Sequence, residues 1–446
     1  MARQLFGTDG VRGRAGAFLT AELALGLARA AVAHAREPRP QVLIVRDTRE
    51  SGEMLESAIA AGVTAAGGDA LLAGVLPTPA APLLVRRHGL QLAAVISASH
   101  NPYEDNGIKL FAADGFKLDD DSEHEIEAVL GQPFPPVGRI GRVRRLHGAL
   151  EDYLRALHTR FSGLDLSGRR VLLDCANGAT FRAAPEIFRR LGATVEVMAD
   201  QPDGRNINAE CGSTHLAAVM ERVRHGDFEL AFAFDGDGDR VLAVDSDGAA
   251  VDGDELMALA ALHLHGSDRL PGGGVAVTVM TNYGFHSAMQ QAGVEVAITA
   301  VGDRYVLDEL RRRGWSLGGE QSGHIIDLGF APSGDGIASA LLTLEALAGR
   351  DLRHRGAMQK LPQRLVNIRA ADQASLHSTM EAAELGSAIQ REESALAGRG
   401  RVLVRASGTE PLIRVMVEAP SQQETDDVCG RLTDVVKLIL DGRQAP

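Results

Sequence analysis

The stretch Ser97-Ala98-Ser99-His100-Asn101-Pro102 places two hydroxyls, an imidazole and an amide directly after an apolar run, Leu92–Ile96. The run reads as a buried strand of parallel type, and Asn-Pro closes the turn that follows it. Ligands of open α/β sheets bind beyond the carboxyl ends of strands, so this loop is well placed for chemistry. The same residues also make an ordinary strand-ending turn. A nucleophile–base pair of Ser99 with His100 is disfavoured, because neighbours leaving a strand point to opposite sides.

A second constellation, Asp235-Gly236-Asp237-Gly238-Asp239-Arg240, separates two apolar runs. Asp-Gly between such runs is a hairpin signal, but three alternating carboxylates exceed what a turn needs. Clustered like charges call for a cation, and carboxylate oxygens suit hard Mg²⁺ or Ca²⁺. An EF-hand loop counted from Asp235 fails, with Arg240 where glycine and Ser246 where glutamate is required. Mg²⁺ completed by a phosphate oxygen fits better.

Gly318-Gly319-Glu320-Gln321-Ser322-Gly323-His324 offers a carboxylate, an amide, a hydroxyl and an imidazole, groups that suit sugar hydroxyls or simply a polar turn. Arg405, Ser407, Thr409 and Arg414, with Gly408 between, have the makings of a phosphate clamp, since guanidinium groups bind phosphate bidentately. Phe6-Gly7-Thr8-Asp9-Gly10-Val11-Arg12-Gly13 is a glycine-spaced polar loop, and Lys109 lies ten residues after Ser99. Only four of the 46 basic residues are lysines, and lysine can exchange a proton where arginine cannot. P-loop, H-E-x-x-H, S-x-x-K and G-x-S-x-G signatures are absent.

Strand and helix alternate in three rounds to position these loops. The first runs through 42–45, a helix near 53–66, 70–75, a helix after Pro79, Leu92–Ile96 and 107–111, and ends at a proline-rich loop, 132–137. The second runs through 171–174, a helix over 184–191, Thr194–Met198, a helix near 216–224 and 229–234. The third runs through 275–279, a helix near 285–291, 295–298 and a helix over 306–313. Each round delivers one polar, glycine-bearing loop, which points to one shared cleft. After Leu361-Pro362 the pattern becomes that of a smaller α+β domain: strands at 365–368, 402–404 and Leu412–Glu418 and a last helix near 425–440.

A chain of 446 residues exceeds one core, and 45% hydrophobic with 24% charged residues describes a soluble globular protein. A net charge of -13 argues against a nucleic-acid partner, and no uncharged run reaches membrane-spanning length. Three scattered cysteines and no signal core lead us to expect reduced thiols and a cytoplasmic location.

Taken in order, these stretches resemble the α-D-phosphohexomutase superfamily nearly end to end. The resemblance implies three related α/β domains with mixed sheets and a smaller C-terminal α+β domain around a central cleft, bounded at 1–150, 151–250, 251–362 and 363–446. It implies Ser99 as the phosphoserine, with Asp235, Asp237 and Asp239 holding Mg²⁺ and phospho-Ser99 lending it an oxygen. Glu320 and Ser322 match the sugar loop, with His324 beside it. Arg405, Ser407, Gly408, Thr409 and Arg414 match the phosphate loop, and Arg12 and Lys109 match basic residues near the phosphoserine, Lys109 as acid/base. Phe6–Gly13, Gln321 and Gly302-Asp303-Arg304-Tyr305 look like the glucosamine branch, while Thr180-Phe181 is less typical of the family. That branch interconverts glucosamine 1- and 6-phosphates through a 1,6-bisphosphate and feeds amino-sugar and cell-wall synthesis. A glucose- or mannose-phosphate mutase and a non-catalytic sugar-phosphate-binding protein are the alternatives. Oligomeric state stays open, a homodimer being one option.

Overall fold

The computed structural model describes residues 5–7, 9–132, 138–407 and 411–442. It carries four sheets. The first has six strands: β1 (Val11–Arg14), β2 (Gln41–Arg46), β3 (Asp69–Val75), β4 (Leu92–Ile96), β5 (Asp105–Ala112) and β6 (Val143–Arg145), in the order β1-β5-β4-β2-β3-β6. Strands β4, β2, β3 and β6 run parallel, while on the β4 side β5 pairs antiparallel with β4 and β1 pairs antiparallel with β5. β4 is buried along its whole length, as an uninterrupted apolar run in a covered sheet must be.

The second sheet orders β11-β10-β9-β7-β8 from β7 (Arg170–Asp174), β8 (Thr194–Met198), β9 (Leu230–Phe234), β10 (Val241–Asp245) and β11 (Ala250–Val251). Its β9–β10 pair is an antiparallel hairpin, so the turn reading of Asp-Gly was correct and coexists with the carboxylate cluster. The third sheet orders β13-β12-β14-β15 from β12 (Gly274–Thr278), β13 (Glu295–Thr299), β14 (Leu317–Gly319) and β15 (Ile325–Asp327). The fourth is antiparallel, β16-β18-β17, from β16 (Gln363–Arg369), β17 (Arg401–Ala406) and β18 (Leu412–Glu418). Three α/β sheets and a smaller C-terminal α+β sheet follow the residue pattern, and the mixing of strand directions follows what the resemblance implies.

The chain forms two compact units, one of Met1–Met280 with Val294–Arg355, the other of Thr281–Gly293 with Gly356–Pro446. The first three sheets lie in the first unit and the fourth in the second. The helices read from the pattern lie within three residues of the observed bounds. Helices Asp120–Val129, Ala149–Arg160, Gly253–Gly266 and Gly336–Leu347 went unread, the last two because they are apolar nearly all round and show no stripe. Both start on aspartate caps: Asp252 forms a capping box with Glu255, and Asp335 accepts from the Ala338 N–H. No described helix is long and apolar enough to cross a membrane, and all three cysteines are buried free thiols.

Asp335 is buried and also accepts from the Tyr153 hydroxyl at 2.9 Å. Burial pushes its carboxyl up to about 6. Between its ordinary value near 3.8 and that value, rising pH deprotonates the unfolded chain first, so this group's contribution to stability falls. We predict that stability of the wild type drops by about 2 kcal/mol relative to Asp335→Asn between pH 4 and 7. Urea unfolding followed by the fluorescence of the sole tryptophan, Trp315, measures this; equal pH dependence of the two proteins contradicts it.

Candidate active site

Each polar loop of the first unit follows the carboxyl end of a parallel-paired strand: β4 leads to Ser99, β9 to Asp235, β14 to Glu320. Ser99 is fully buried, with φ +53°, a left-handed conformation uncommon outside glycine. Its backbone N–H donates to Ser97 Oγ at 2.9 Å, and its Oγ donates to Asp235 Oδ2 at 2.5 Å. His100 Nδ1 lies 3.4 Å from Ser99 Oγ, which corrects the expectation that the two side chains diverge. Strand alternation ends at Ile96, and the left-handed turn at Ser99 brings the neighbours to one side. Burial, followed by Arg240 and Arg12, lowers the His100 imidazole, while the short bond of Ser99 goes to Asp235.

Asp235, Asp237 and Asp239 are buried and offer oxygens that lie within 4.8 Å of one another. The sequence makes this possible with Gly238 at φ +74°, which lets the loop fold back so that the Gly238 N–H reaches the Asp235 carbonyl at 3.1 Å. Thr78 holds Asp237 twice, Oγ1 donating to Oδ2 at 2.7 Å and N–H to the carbonyl at 2.8 Å. Burial, then the charges of Asp239 and Asp237, pushes the Asp235 carboxyl well above the usual range. Asp237 Oδ1 and Asp239 Oδ1 are buried without a hydrogen-bond partner. A crowded, dry set of hard oxygens with two orphaned atoms fits a divalent cation.

Fixed positive charge surrounds the cluster. Lys109 projects from β5 and pairs with Asp237 at 2.9 Å, Asp9 at 3.0 Å and Asp239 at 3.5 Å. Burial opposes its charge, but Asp237, Asp9 and Asp239 outweigh that and raise its pKa, so Lys109 rests as an ammonium. Arg12 on β1 pairs with Asp9, which also holds Lys117. Burial would raise Asp9, yet Lys109, Lys117 and Arg12 together hold it well below the usual range. A side chain at Gly107, opposite Arg12 across the β1–β5 pair, would strike the Ser97 carbonyl and the Arg12 side chain. His324 is buried, with Nδ1 3.6 Å from Asp239 and Nε2 3.7 Å from Asp303. Burial disfavours its charged form, but Asp239 and then Asp303 raise it.

The 320–324 loop is tied to its neighbours through backbone. The Val241 N–H donates to the Gly323 carbonyl at 3.1 Å and the Gly253 N–H to the Gln321 carbonyl at 3.0 Å. Glu320 Oε1 accepts from the Gly302 N–H at 3.0 Å, and Ser322 Oγ is buried without a partner, ready for a ligand hydroxyl. The structure thus gathers Ser99, Lys109, Arg12, the three aspartates and His324 into one network that includes the sugar-type loop. In the second unit, Arg405 and Arg414 stand directly opposite across β17 and β18, and Ser407 closes the hairpin by donating to the Leu412 carbonyl at 2.8 Å. Burial and then Arg414 lower the Arg405 guanidinium, and like charges placed opposite each other call for an anion. Gly408 and Thr409 lie outside the described residues.

Asp9, Asp47, Arg49, Thr78, Asn208 and Asp303 were not singled out as site residues. Asp47-Thr48-Arg49 had a usable signal, since it leaves the carboxyl end of β2. Asn208 had none, because its loop reaches Ser99 only through tertiary folding, 109 residues later in the chain. The 174–179 run braces the aspartate loop, the Ala179 N–H donating to the Gly236 carbonyl at 2.8 Å.

Four profiles of the phosphoglucomutase/phosphomannomutase family match the chain in order. They are α/β/α domain I over residues 3–133, domain II over 151–248, domain III over 252–365 and the C-terminal domain over 365–435. The chain belongs to this family, and it is an isomerase of the intramolecular phosphotransferase type. Within the family it is similar over its length to a phosphoglucosamine mutase of Pelotomaculum thermopropionicum, 48% identical and covering 98% of this chain and 99% of that one. A phosphoglucosamine mutase of Nocardioides sp. is also 48% identical, again covering 98% and 99%. The fold is that of a phosphoglucomutase/phosphomannomutase family protein of Burkholderia thailandensis, with TM-score 0.83, 22% identity and 98% of both chains covered. It is shared by an Aspergillus fumigatus N-acetylphosphoglucosamine mutase solved with GlcNAc-6P and magnesium, with TM-score 0.71, 18% identity, and 98% and 96% covered.

The carboxylate cluster predicts that a divalent cation stabilises the folded protein. At a hundredfold excess over its dissociation constant the gain is about 2.7 kcal/mol, read as a rise in melting temperature. Asp237→Asn combined with Asp239→Asn should abolish the rise; an equal rise in that variant would place the cation elsewhere.

Proposed function

We propose that this enzyme interconverts α-D-glucosamine 1-phosphate and D-glucosamine 6-phosphate through phospho-Ser99 and a 1,6-bisphosphate. The observation that carries the reading is the buried Ser99 hydroxyl bonded to Asp235 at 2.5 Å inside a carboxylate cluster. The similarity to phosphoglucosamine mutases at 48% identity selects the sugar.

In the forward half-reaction the bond from Ser99 Oγ to phosphorus breaks as a free sugar hydroxyl forms its own bond to that phosphorus. The bisphosphate turns over, and Ser99 Oγ then takes the other phosphoryl group. Asp235, Asp237 and Asp239 would hold Mg²⁺, which supplies positive charge to the oxygens of the transferring group. Lys109, paired with Asp237 and Asp239, and Arg12, paired with Asp9, add fixed charge. Resting as an ammonium, Lys109 gives its proton to Ser99 Oγ as that oxygen departs, while the attacking sugar hydroxyl releases its own proton to solvent. In the return half-reaction the Lys109 amine takes the Ser99 hydroxyl proton and the departing sugar oxygen takes one from solvent. His324, held between Asp239 and Asp303, adds charge beside the sugar loop. Glu320 and Ser322 bind sugar hydroxyls, and both orientations of the sugar must be accepted. Arg405, Ser407, Gly408, Thr409 and Arg414 bind the phosphate that is not reacting. Three buried thiols accord with a cytoplasmic enzyme.

Two measurements test this. Wild-type protein primed with a sugar 1,6-bisphosphate should carry one phosphate on Ser99 by peptide mass spectrometry and prefer glucosamine phosphate over glucose and mannose phosphates. Ser99→Ala should lose at least about 10³-fold in kcat. Full activity in that variant would sink the phosphoserine mechanism, and faster turnover of mannose phosphate would reassign the substrate. Arg414→Ala should lower kcat/KM by about 30-fold or more, mainly through KM, because a charge-assisted bond to the distal phosphate is gone. A change confined to kcat would contradict that assignment.

A further inference from the structure

Arg49 is fully buried, and all five of its N–H donors are spent around the Ser99 loop. Nε donates to Asp47 Oδ2 at 2.8 Å; Nη1 donates to the carbonyls of Asp105 at 3.0 Å and of Pro102; Nη2 donates to those of Ser99 and Asn101, both at 2.9 Å. Asp47 in turn accepts from Ser97 Oγ at 2.6 Å, and Ser97 Oγ accepts from the Ser99 N–H. From the second sheet's side, Asn208 Nδ2 reaches the same two carbonyls, Ser99 at 2.9 Å and Asn101 at 3.1 Å. The carbonyls of Ser99 and Asn101 therefore each accept from two side chains, one on either side of the loop.

We infer that Arg49 and Asn208 are positioning residues for phosphoryl transfer, a clamp that holds Ser99 in its left-handed conformation with Oγ turned to Asp235. The inference rests on the phosphoserine reading above. Arg49 is not available to substrate, because every donor is used inside the protein and Asp47 neutralises its charge at contact distance. Asn208 is buried with Nδ2 spent on the two carbonyls and Oδ1 without a hydrogen-bond partner. What they supply is direction. A left-handed serine is strained and persists only where its surroundings over-determine it. Turning the Ser99 carbonyl away would turn the Cα–Cβ bond with it and carry Oγ off the carboxylate cluster. Because Asn208 comes from the loop after β8, a strand of the sheet that presents the aspartates, it also registers the Ser99 loop against them; a side chain at Gly236 would strike both Asn208 Nδ2 and the Ser99 carbonyl.

Asn208→Asp is the decisive variant, since it keeps the shape and replaces the donor by oxygen facing two carbonyls. Arg49→Lys is the second, keeping the charge on Asp47 while losing the planar fork. Both are compared with wild type below their melting temperatures, on glucosamine 1-phosphate and by ³¹P NMR of the phosphoserine. The expected result is a kcat about 100-fold lower with KM changed less than about threefold, the cost of a misplacement near 1 Å. The phosphoserine resonance should broaden or split as the loop samples more than one conformation. Variants that melt earlier but keep wild-type kcat and one sharp resonance would overturn the inference, as would an effect confined to KM. Wild-type protein that fails to turn over glucosamine phosphate would instead overturn the underlying reading.

Discussion

Three carboxylates whose oxygens lie within 4.8 Å of one another, all buried, are an electrostatic problem that the rest of the first unit is built to solve. Like charges at that separation in a dry site cannot all ionise without compensation. Lys109 answers with an ammonium beside Asp237 and Asp239, His324 stands against Asp239, and Arg240 offsets Asp235. Asp9 balances the cations in turn by holding Lys109, Lys117 and Arg12. Two carboxylate oxygens still lack a partner, and Asp235 is pushed up by its neighbours, so the protein leaves room for a cation. A site with charges of both signs locked in place suits phosphoryl transfer, where charge moves little and must be met in advance.

Placement of that charge depends on backbone more than on side chains. Three loops leave the carboxyl ends of strands in three sheets and are joined by bonds the chain cannot easily lose. Thr78 ties the first sheet to Asp237, and Val241 ties the hairpin after the aspartates to Gly323. Gly253, at the head of a buried helix, ties that helix to Gln321. The aspartate loop and the loop of Glu320 and Ser322 are thus one connected structure, so the polar groups of one are registered against the charges of the other.

Much of this was legible in the residues. Uninterrupted apolar runs such as Leu92–Ile96 and Leu230–Phe234 mark covered strands, and each is buried throughout. Aspartates alternating with glycine announced both a hairpin and a cation site, because glycine permits the turn and carboxylates need neutralising. Helices Gly253–Gly266 and Gly336–Leu347 escaped because a helix buried on all sides has no polar face to set its period.

What the sequence by itself determined was local form and the kinds of group on offer: hydroxyls, carboxylates, an amine and guanidinium groups, and the strands that deliver them. Tertiary structure alone decided direction and charge state. It turned His100 toward Ser99 against strand alternation, made an ammonium of Lys109 by surrounding it with carboxylates, and brought Arg49 and Asn208 to the carbonyls of one loop. The reason is range. Alternation, turn chemistry and apolar runs act over a few residues, whereas a pKa or a hydrogen-bond partner depends on whatever folding places within a few ångströms.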